Sequence, residues 1–336
     1  MRVQHLAAWA PLGLTGGVLF TIACGGGAAE EPFIKSEERA TRALISVERS
    51  LSMDGLATDT AAPATESDAS GASEAAAPVV APIERGSAHA IAHFVSLPQY
   101  SQPDLVLDTL GLRRVWPAVD NCVEQQPGAE IQPELDLRSL GHLELLDAGE
   151  VAIETERAAI NLAPRAFPTV SQLVSGVTYT TRDQSLEPLP AALRYRFRTA
   201  GSASLPALNL SAIAPESLRH VTVSGLPIEE TFTVPATAPL DVTWLPATQG
   251  NPSDLVVLEL TSDVASHSVR CAFRDEAGVG TMPPELTKRM AGPGLLSVHR
   301  VRRAVELFRG SDQEIASTAQ IDFDFVITRS VDVLTP

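Results

Sequence analysis

The strongest constraint on the fold lies near the C-terminus, where residues 321–327 read Ile-Asp-Phe-Asp-Phe-Val-Ile. Apolar and acidic side chains alternate along this run. Because successive side chains of a β-strand point to opposite faces, the pattern predicts a strand with one apolar face and one face bearing Asp322 and Asp324. A half-buried strand needs neighbours, so the chain is expected to build its core from sheets.

Shorter alternating runs separated by Gly, Pro and Asp follow one another from Ser87 onward. They predict strands at 143–145, 151–153, 177–181, 193–197, 221–223, 242–244, 256–260 and 321–327. The turn residues Asp147-Ala148-Gly149 predict a hairpin between the first two of these strands. The strand at 177–181 is predicted to pair with the one at 193–197. Two turns of helix at most are expected at Pro283-Pro284-Glu285-Leu286.

Six strands of this kind are expected within about 100 residues at the C-terminal end, the clearest at 242–244, 256–260 and 321–327, and this density is typical of a sandwich. The predicted fold class is therefore mainly β, with antiparallel immunoglobulin-like sandwich domains after a signal peptide, a short helix and a disordered linker. The predicted segments are a signal peptide at 1–23, an anchor and short helix at 24–53, a linker at 54–85, a β-rich domain at 86–229 and a sandwich domain at 230–336.

The N-terminal apolar run from Leu6 to Ala23 contains Pro11 and three glycines, so it resembles a secretory signal more than a spanning helix. Its ending, Thr21-Ile22-Ala23-Cys24, resembles the lipobox of bacterial lipoproteins. The resemblance implies that Cys24 is acylated and becomes the first residue, although Thr21 stands where the family prefers Leu. Gly25 after the cysteine implies sorting to the outer membrane, facing the periplasm or the surface. The alternatives are a secreted protein and a retained transmembrane helix.

The next segment carries an apolar stripe at helical spacing, made of Ala40, Leu44, Val47 and Leu51. With Ser36 as a cap, it predicts a short helix that ends before Gly55. Residues 54–84 are rich in Ala, Thr, Ser and Pro and contain acidic but no basic residues. Such a composition predicts a flexible spacer between anchor and body.

The charge balance restricts the partners. The chain has 25 basic and 41 acidic residues, a net charge of −16. Nucleic acids and anionic membrane surfaces require clustered positive charge, so neither is an expected partner. The expected partners are the membrane, through the lipid anchor, and an envelope protein or glycan.

Two cysteines remain if Cys24 is lipidated. In an oxidising compartment Cys122 and Cys271 can form a disulfide that closes a very long loop. Alternatively they are unpaired buried thiols, since Val269, Cys271 and Phe273 alternate as one inward face. The sequence leaves both readings open.

A search for catalytic or metal-binding patterns yields little. His89 and His93 share a face at i, i+4, but the run reads His-Ala-Ile-Ala-His and lacks the glutamate of the zinc motif. No nucleophile elbow, P-loop or dinucleotide-binding fingerprint is present. A calcium cluster remains an alternative for the loop acids, which are Asp254, Asp263, Asp275 and Glu276. No cofactor, metal site or catalytic residue is predicted.

Three runs in the C-terminal third read Val-Arg-Cys-Ala-Phe-Arg-Asp, Met-Pro-Pro-Glu-Leu and Leu-Leu-Ser-Val-His-Arg. Their order resembles a β-domain in uncharacterised lipoproteins of myxobacterium-like bacteria, loosely over residues 85–336 and better over 240–336. The resemblance implies a β-fold and an envelope location, and it implies no activity.

The expected function is that of a lipid-anchored cell-envelope protein whose non-catalytic β-sandwich domains bind a partner or serve a structural role. One alternative is an envelope hydrolase whose site is assembled from distant loops. Another is a carbohydrate- or peptide-binding protein, for which Trp116 and Trp244 exposed beside a groove would be the marker.

Overall fold

The fold is mainly β in the computed structural model. The structure describes residues 39–53, 85–98, 103–125, 143–170, 174–181, 185–230, 232–264, 267–309 and 316–334. These described residues all belong to one compact unit. The predicted signal peptide, residues 1–23, and the predicted lipidation site Cys24 lie outside the described residues.

The strands are numbered in chain order. The first nine are β1 Arg39–Ser52, β2 Arg85–Pro98, β3 Asn121–Gln125, β4 Leu143–Leu145, β5 Val151–Glu154, β6 Ala159–Val170, β7 Val174–Thr180, β8 Arg194–Thr199 and β9 Asn209–Ile213. The others are β10 Thr222–Val223, β11 Leu226–Pro227, β12 Thr233–Pro235, β13 Leu240–Thr243, β14 Leu255–Ser262, β15 Ser268–Arg274, β16 Val279–Met282, β17 Gly292–Arg309 and β18 Ala316–Leu334. The helices are α1 Pro103–Thr109 and α2 Pro284–Thr287, and Asp275–Ala277 and Lys288–Met290 form 3₁₀ turns.

The described strands other than β3 build one large and one small sheet. The large sheet has the order β15-β14-β17-β18-β1-β2-β4-β7-β6-β5-β8-β9, and β12 also pairs with β18. The small sheet has the order β11-β10-β13-β16. Most pairings are antiparallel as predicted, but β1–β18, β12–β18 and β4–β7 are parallel, so the large sheet is mixed.

The predicted helix before Gly55 is wrong, because this segment is strand β1. It lies between β18 and β2 and pairs with both along most of its length. Ala43, Ile45 and Val47 alternate into the main core, and Leu44 is buried on the opposite face. Both faces of this strand carry apolar residues. The sequence therefore fits the helical period of 3.6 residues as well as the strand period of 2 residues.

This strand also changes the role of the predicted spacer. Ser52 and Arg85 are direct partners in the β1–β2 pairing, so residues 53–84 leave and re-enter the sheet at neighbouring positions. The segment therefore connects two strands of the body, and its predicted role as a tether between anchor and body is wrong. Its predicted flexibility concerns residues outside the described part of the chain.

Two apolar cores lie on one face of the large sheet, and β18 contributes to both. Phe323 and Phe325 pack with side chains from β1, β2, β5, β8 and β9. Ile327 and Val331 belong to a second core with side chains from β14, β15 and β17 and from β10, β13 and β16 of the small sheet. The predicted domains 86–229 and 230–336 thus belong to one large sheet, and β18 contributes side chains to the core of each.

Most predicted strands are confirmed, but two predicted pairings are wrong. Buried Tyr195 and Phe197 alternate with exposed arginines in β8 as expected. The neighbours of β8 are β5 and β9, whereas β7 pairs with β2, β4 and β6. The turn at Asp147 links β4 to β5 without a hairpin, since these strands lie apart in the sheet. Helix α2 agrees with the prediction.

Residues 110–125, here called the strap, follow α1 and cross the other face of the large sheet. Helix α1 buries Val106 and Leu107 against β2 and β4. Trp116 then packs over Val257 and Val301. The strap ends beside β15, where Val119 forms a bridge with Ala272. It therefore covers polar side chains that an open sheet face would leave in solvent.

Candidate functional site

A groove lies where β6 passes from its pairing with β5 to its pairing with β7. Its volume is about 800 Å³, within the range of small-molecule sites. Ile160, Leu162 and Val177 supply apolar lining and also pack against the main core. Asp147 and Glu150 add two exposed carboxylates. None of the described residues that line the groove is basic.

The carboxylate of Asp147 is held in place by a buried tyrosine. The Tyr179 hydroxyl donates to Asp147 Oδ1 at 2.6 Å and accepts from the Ala148 amide at 2.7 Å. The Gly149 amide, at a φ of +71° that favours glycine, donates to the same Oδ1 at 2.9 Å. Tyr179 is fully buried, so the network has a rigid base.

These hydrogen bonds also set the protonation states. The bond from Tyr179, followed by that from the Gly149 amide, holds the pKa of Asp147 below its usual value. Burial, reinforced by the bond to Asp147, raises the pKa of Tyr179 to about 12. Asp147 is therefore a fixed anion at neutral pH. Glu150 is oriented as well, because the Asn161 amide donates to its Oε1 at 2.8 Å.

Two buried arginines of β17 connect the loops between the two cores. Arg300 donates through Nε to Asp275 Oδ1 at 3.0 Å and through Nη2 to the Leu245 carbonyl at 2.6 Å. Arg302 donates through Nε to Asp254 Oδ1 at 2.8 Å. Each guanidinium also donates to a carbonyl of the connection between β9 and β10, Arg300 to that of Ser217 and Arg302 to that of Ala214. These ion pairs hold the loops in place, and they engage the carboxylates of both Asp254 and Asp275.

A histidine with two acidic neighbours lies beneath the strap. His299 Nδ1 is 2.8 Å from Asp324 Oδ1, and its Nε2 is 3.6 Å from Glu259 Oε2. Trp116 covers the imidazole at 5.4 Å between ring centroids. Arg114 pairs with Asp324 on one side, and Arg270 pairs with Glu259 at 2.9 Å on the other. Asp324 was expected on the solvent face, but the strap buries it.

The opposite charges in this cluster stabilise the ionised form of one another. Burial lowers the pKa of His299, but Asp324 and Glu259 outweigh that effect and raise it to about 9. Burial raises the pKa of Glu259, but the neighbouring His299 and the hydrogen bond from Arg270 outweigh that effect and lower it to about 2. His299 is thus a cation at neutral pH.

We expect stability to decline in alkaline solution because of His299. Its pKa is raised from 6.5 to about 9, so the proton stabilises the fold fully below pH 6.5, and this contribution is lost as pH rises through 9. Urea unfolding between pH 6.5 and 9.5 measures the slope. The His299→Gln variant should show a smaller slope, and His89→Gln, an exposed histidine, should match the wild type. Equal slopes in wild type and His299→Gln would contradict this role.

Comparison with known proteins supplies no further constraint. Neither a scan against protein-family models nor a search of the curated proteins finds a match to this chain. Within the described ranges, no helix has the length and apolar character needed to cross a membrane. In the same part of the chain, no group of three or more His, Cys, Asp or Glu residues is arranged to hold a metal ion.

The cysteines predicted as a possible pair lie together in the structure. Cys122 of the strap and Cys271 of β15 are joined at an S–S distance of 2.03 Å. The bond fixes the end of the strap to the edge of the large sheet. Cys24, the predicted lipidation site, lies outside the described residues.

The two neighbouring histidines on β2 point to the same side but do not share a ligand. Four residues along a strand separate His89 and His93 by about 13 Å, too far for one metal ion. Each ring bonds a threonine hydroxyl of β7 at 3.1 Å, Thr180 for His89 and Thr178 for His93. Burial lowers the pKa of His93 to about 4, so that ring is neutral. No carboxylate among the described residues hydrogen-bonds to either ring.

The remaining candidates from the sequence have structural partners. Asp254 and Asp275, two of the acids weighed for calcium, are buried in ion pairs with arginines. Trp244 is buried, and its indole N–H donates to the Asp275 carbonyl at 2.9 Å. Trp116 is half-buried against His299. The two tryptophans therefore do not form the exposed aromatic pair that would mark a glycan-binding surface.

Sequence reasoning missed the groove. Asp147 and Gly149 were recognised as turn residues, but nothing in the local pattern connects them with Tyr179, which lies 32 residues away from Asp147. One feature of the sequence could have indicated such a network. Tyr179 lies on the inward face of a strand, and a buried hydroxyl needs a hydrogen-bond partner.

Proposed function

We propose that this chain is a lipid-anchored protein of the cell envelope whose β-structure acts by binding or as a structural component, without catalysis. The Cys122–Cys271 disulfide carries this proposal. Disulfides persist in oxidising compartments and are rare in the cytosol, so the bond supports an extracytoplasmic address. The address agrees with the secretory character of residues 1–23 and with the lipobox-like ending at Cys24.

The position of β1 sets the reach of the anchor. If Cys24 carries the lipid, only residues 25–38 separate it from β1. Fifteen residue steps span at most about 50 Å when fully extended. The body would therefore stay near the membrane, on the periplasmic or outer surface of the outer membrane. A secreted form without lipid is the alternative address.

The finer architecture that we propose is an immunoglobulin-like sandwich in the C-terminal part. Strands β10, β13 and β16 of the small sheet share a core with β14, β15 and β17 of the large sheet. Trp244 lies in this core, directly after β13. Two sheets joined by interdigitating apolar side chains are the defining feature of such domains.

Cell fractionation tests the anchor. We expect the wild type in the membrane fraction and Cys24→Ser in the soluble fraction, because several acyl chains on one residue hold a protein firmly. The Cys122→Ser/Cys271→Ser double variant is the matched control, since it removes cysteines without removing the anchor, and it should remain with the membrane. Membrane association of Cys24→Ser equal to that of the wild type would refute the lipid anchor.

A further inference from the structure

We propose that the groove beside β6 binds small organic cations with an apolar body, of which alkylammonium ions are the simplest. The apolar part would lie against Ile160, Leu162 and Val177, and the cation would lie at Asp147 and Glu150. This inference deepens the proposed binding role and rests on it. It does not depend on the lipid anchor.

The first argument is the combination of shape and lining. A volume of about 800 Å³ accommodates a drug-sized molecule. Ile160, Leu162 and Val177 belong to the main core or pack against it, so the apolar wall is in place before a ligand arrives. Alkyl surface buried there would add to the affinity in proportion to the apolar area removed from water.

The second argument is the charge. The two carboxylates are not balanced by a basic side chain among the described residues of the lining. A cation is therefore attracted and an anion repelled, and the net charge of −16 acts in the same direction.

The third argument is preorganisation. Most surface carboxylates rotate freely, but Asp147 is held by the buried Tyr179 hydroxyl and by the Gly149 amide. The turn is fixed in addition by Ser202, whose hydroxyl donates to the Asp147 carbonyl at 2.6 Å. A binding group that is already ordered loses little entropy when a ligand binds.

The backbone around the groove favours a small molecule over an extended peptide. Residues 159–162 of β6 pair with β5, and residues 163–167 pair with β7. Because β6 changes partner at the groove, neither half offers an added strand more than a short stretch of open edge. Pro164 lacks an N–H group altogether.

Calorimetric titration of the full-length protein with three probes of equal length tests the proposal. The probes are octylammonium, 1-octanol and octanoate. We expect octylammonium to bind about tenfold more tightly than 1-octanol, from two partly exposed ion pairs of somewhat under 1 kcal/mol each, and octanoate to bind most weakly. Raising the salt concentration should reduce the preference for the cation.

Variants locate the site and separate its two components. Asp147→Asn/Glu150→Gln should abolish the preference for octylammonium and leave the affinity for 1-octanol unchanged. Glu187→Gln, an acid that lines a different groove, should behave as the wild type. Ala163→Phe should fill the groove and weaken all three probes, which keeps the test decisive if the charge variant folds poorly.

Equal affinities of the wild type for octylammonium and 1-octanol would overturn the proposal, as would undiminished cation preference in Asp147→Asn/Glu150→Gln. Either result would leave the lipid anchor untouched, because fractionation reads the anchor alone. Conversely, a soluble wild type that binds octylammonium selectively would refute the anchor and retain the groove.

Discussion

Replacing Cys122 and Cys271 together with serine should lower the free energy of unfolding by roughly 4–5 kcal/mol. The bond joins residues 149 positions apart, so in the reduced unfolded chain a very long loop is released. In the folded state the same bond holds the end of the strap, which covers His299 and Asp324.

Urea unfolding followed by tryptophan fluorescence measures the effect, and reduction supplies the control. A dithiol reductant should bring the wild type close to the Cys122→Ser/Cys271→Ser variant and should leave that variant unchanged. If both oxidised and reduced wild type unfold at the same urea concentration, the disulfide does not stabilise this fold.

Arg300→Met should destabilise the protein by about 3–5 kcal/mol. Arg300 is fully buried, and its removal leaves Asp275, itself 3% exposed, as a buried charge without its cation. The variant also deprives the carbonyls of Ser217 and Leu245 of their donor. The loops between the two cores would thereby lose a common anchor.

A matched surface arginine separates charge from burial. Arg198 pairs with Glu154 at 3.0 Å, but its side chain is 60% exposed. Arg198→Met should therefore change stability by less than about 1 kcal/mol. Adding Asp275→Asn to Arg300→Met should restore part of the loss, since it removes the unpaired charge. Equal effects of the two arginine variants would show that the buried pair has no special role.

The sequence predicted those strands in which one face is apolar and the other polar. Strands β8 and β18 are examples, because their alternation allows one interpretation only. Strand β1 was predicted as a helix because it lies between two strands and is apolar on both faces, so that period 2 and period 3.6 fit equally well. Pairing partners were predicted poorly, since parallel neighbours such as β1 and β18 are far apart in the chain.

The polar clusters could not be predicted for a related reason. Arg300 and Arg302 are charged residues that are buried only because loops from distant parts of the chain cover them. Asp324 alternates with phenylalanines as a solvent-facing residue would, and only the strap buries it. A local pattern records which side chains share a face, but not which segment later covers that face.

The most direct test of the central claim is mass spectrometry of the protein isolated from the membranes of the cells that make it, after thiol alkylation without reductant. The proposed envelope lipoprotein predicts a mature chain that begins at Cys24, carries acyl groups on that residue, and has no alkylated thiol at Cys122 or Cys271. A chain that retains residues 1–23, with all three cysteines alkylated, would contradict the account.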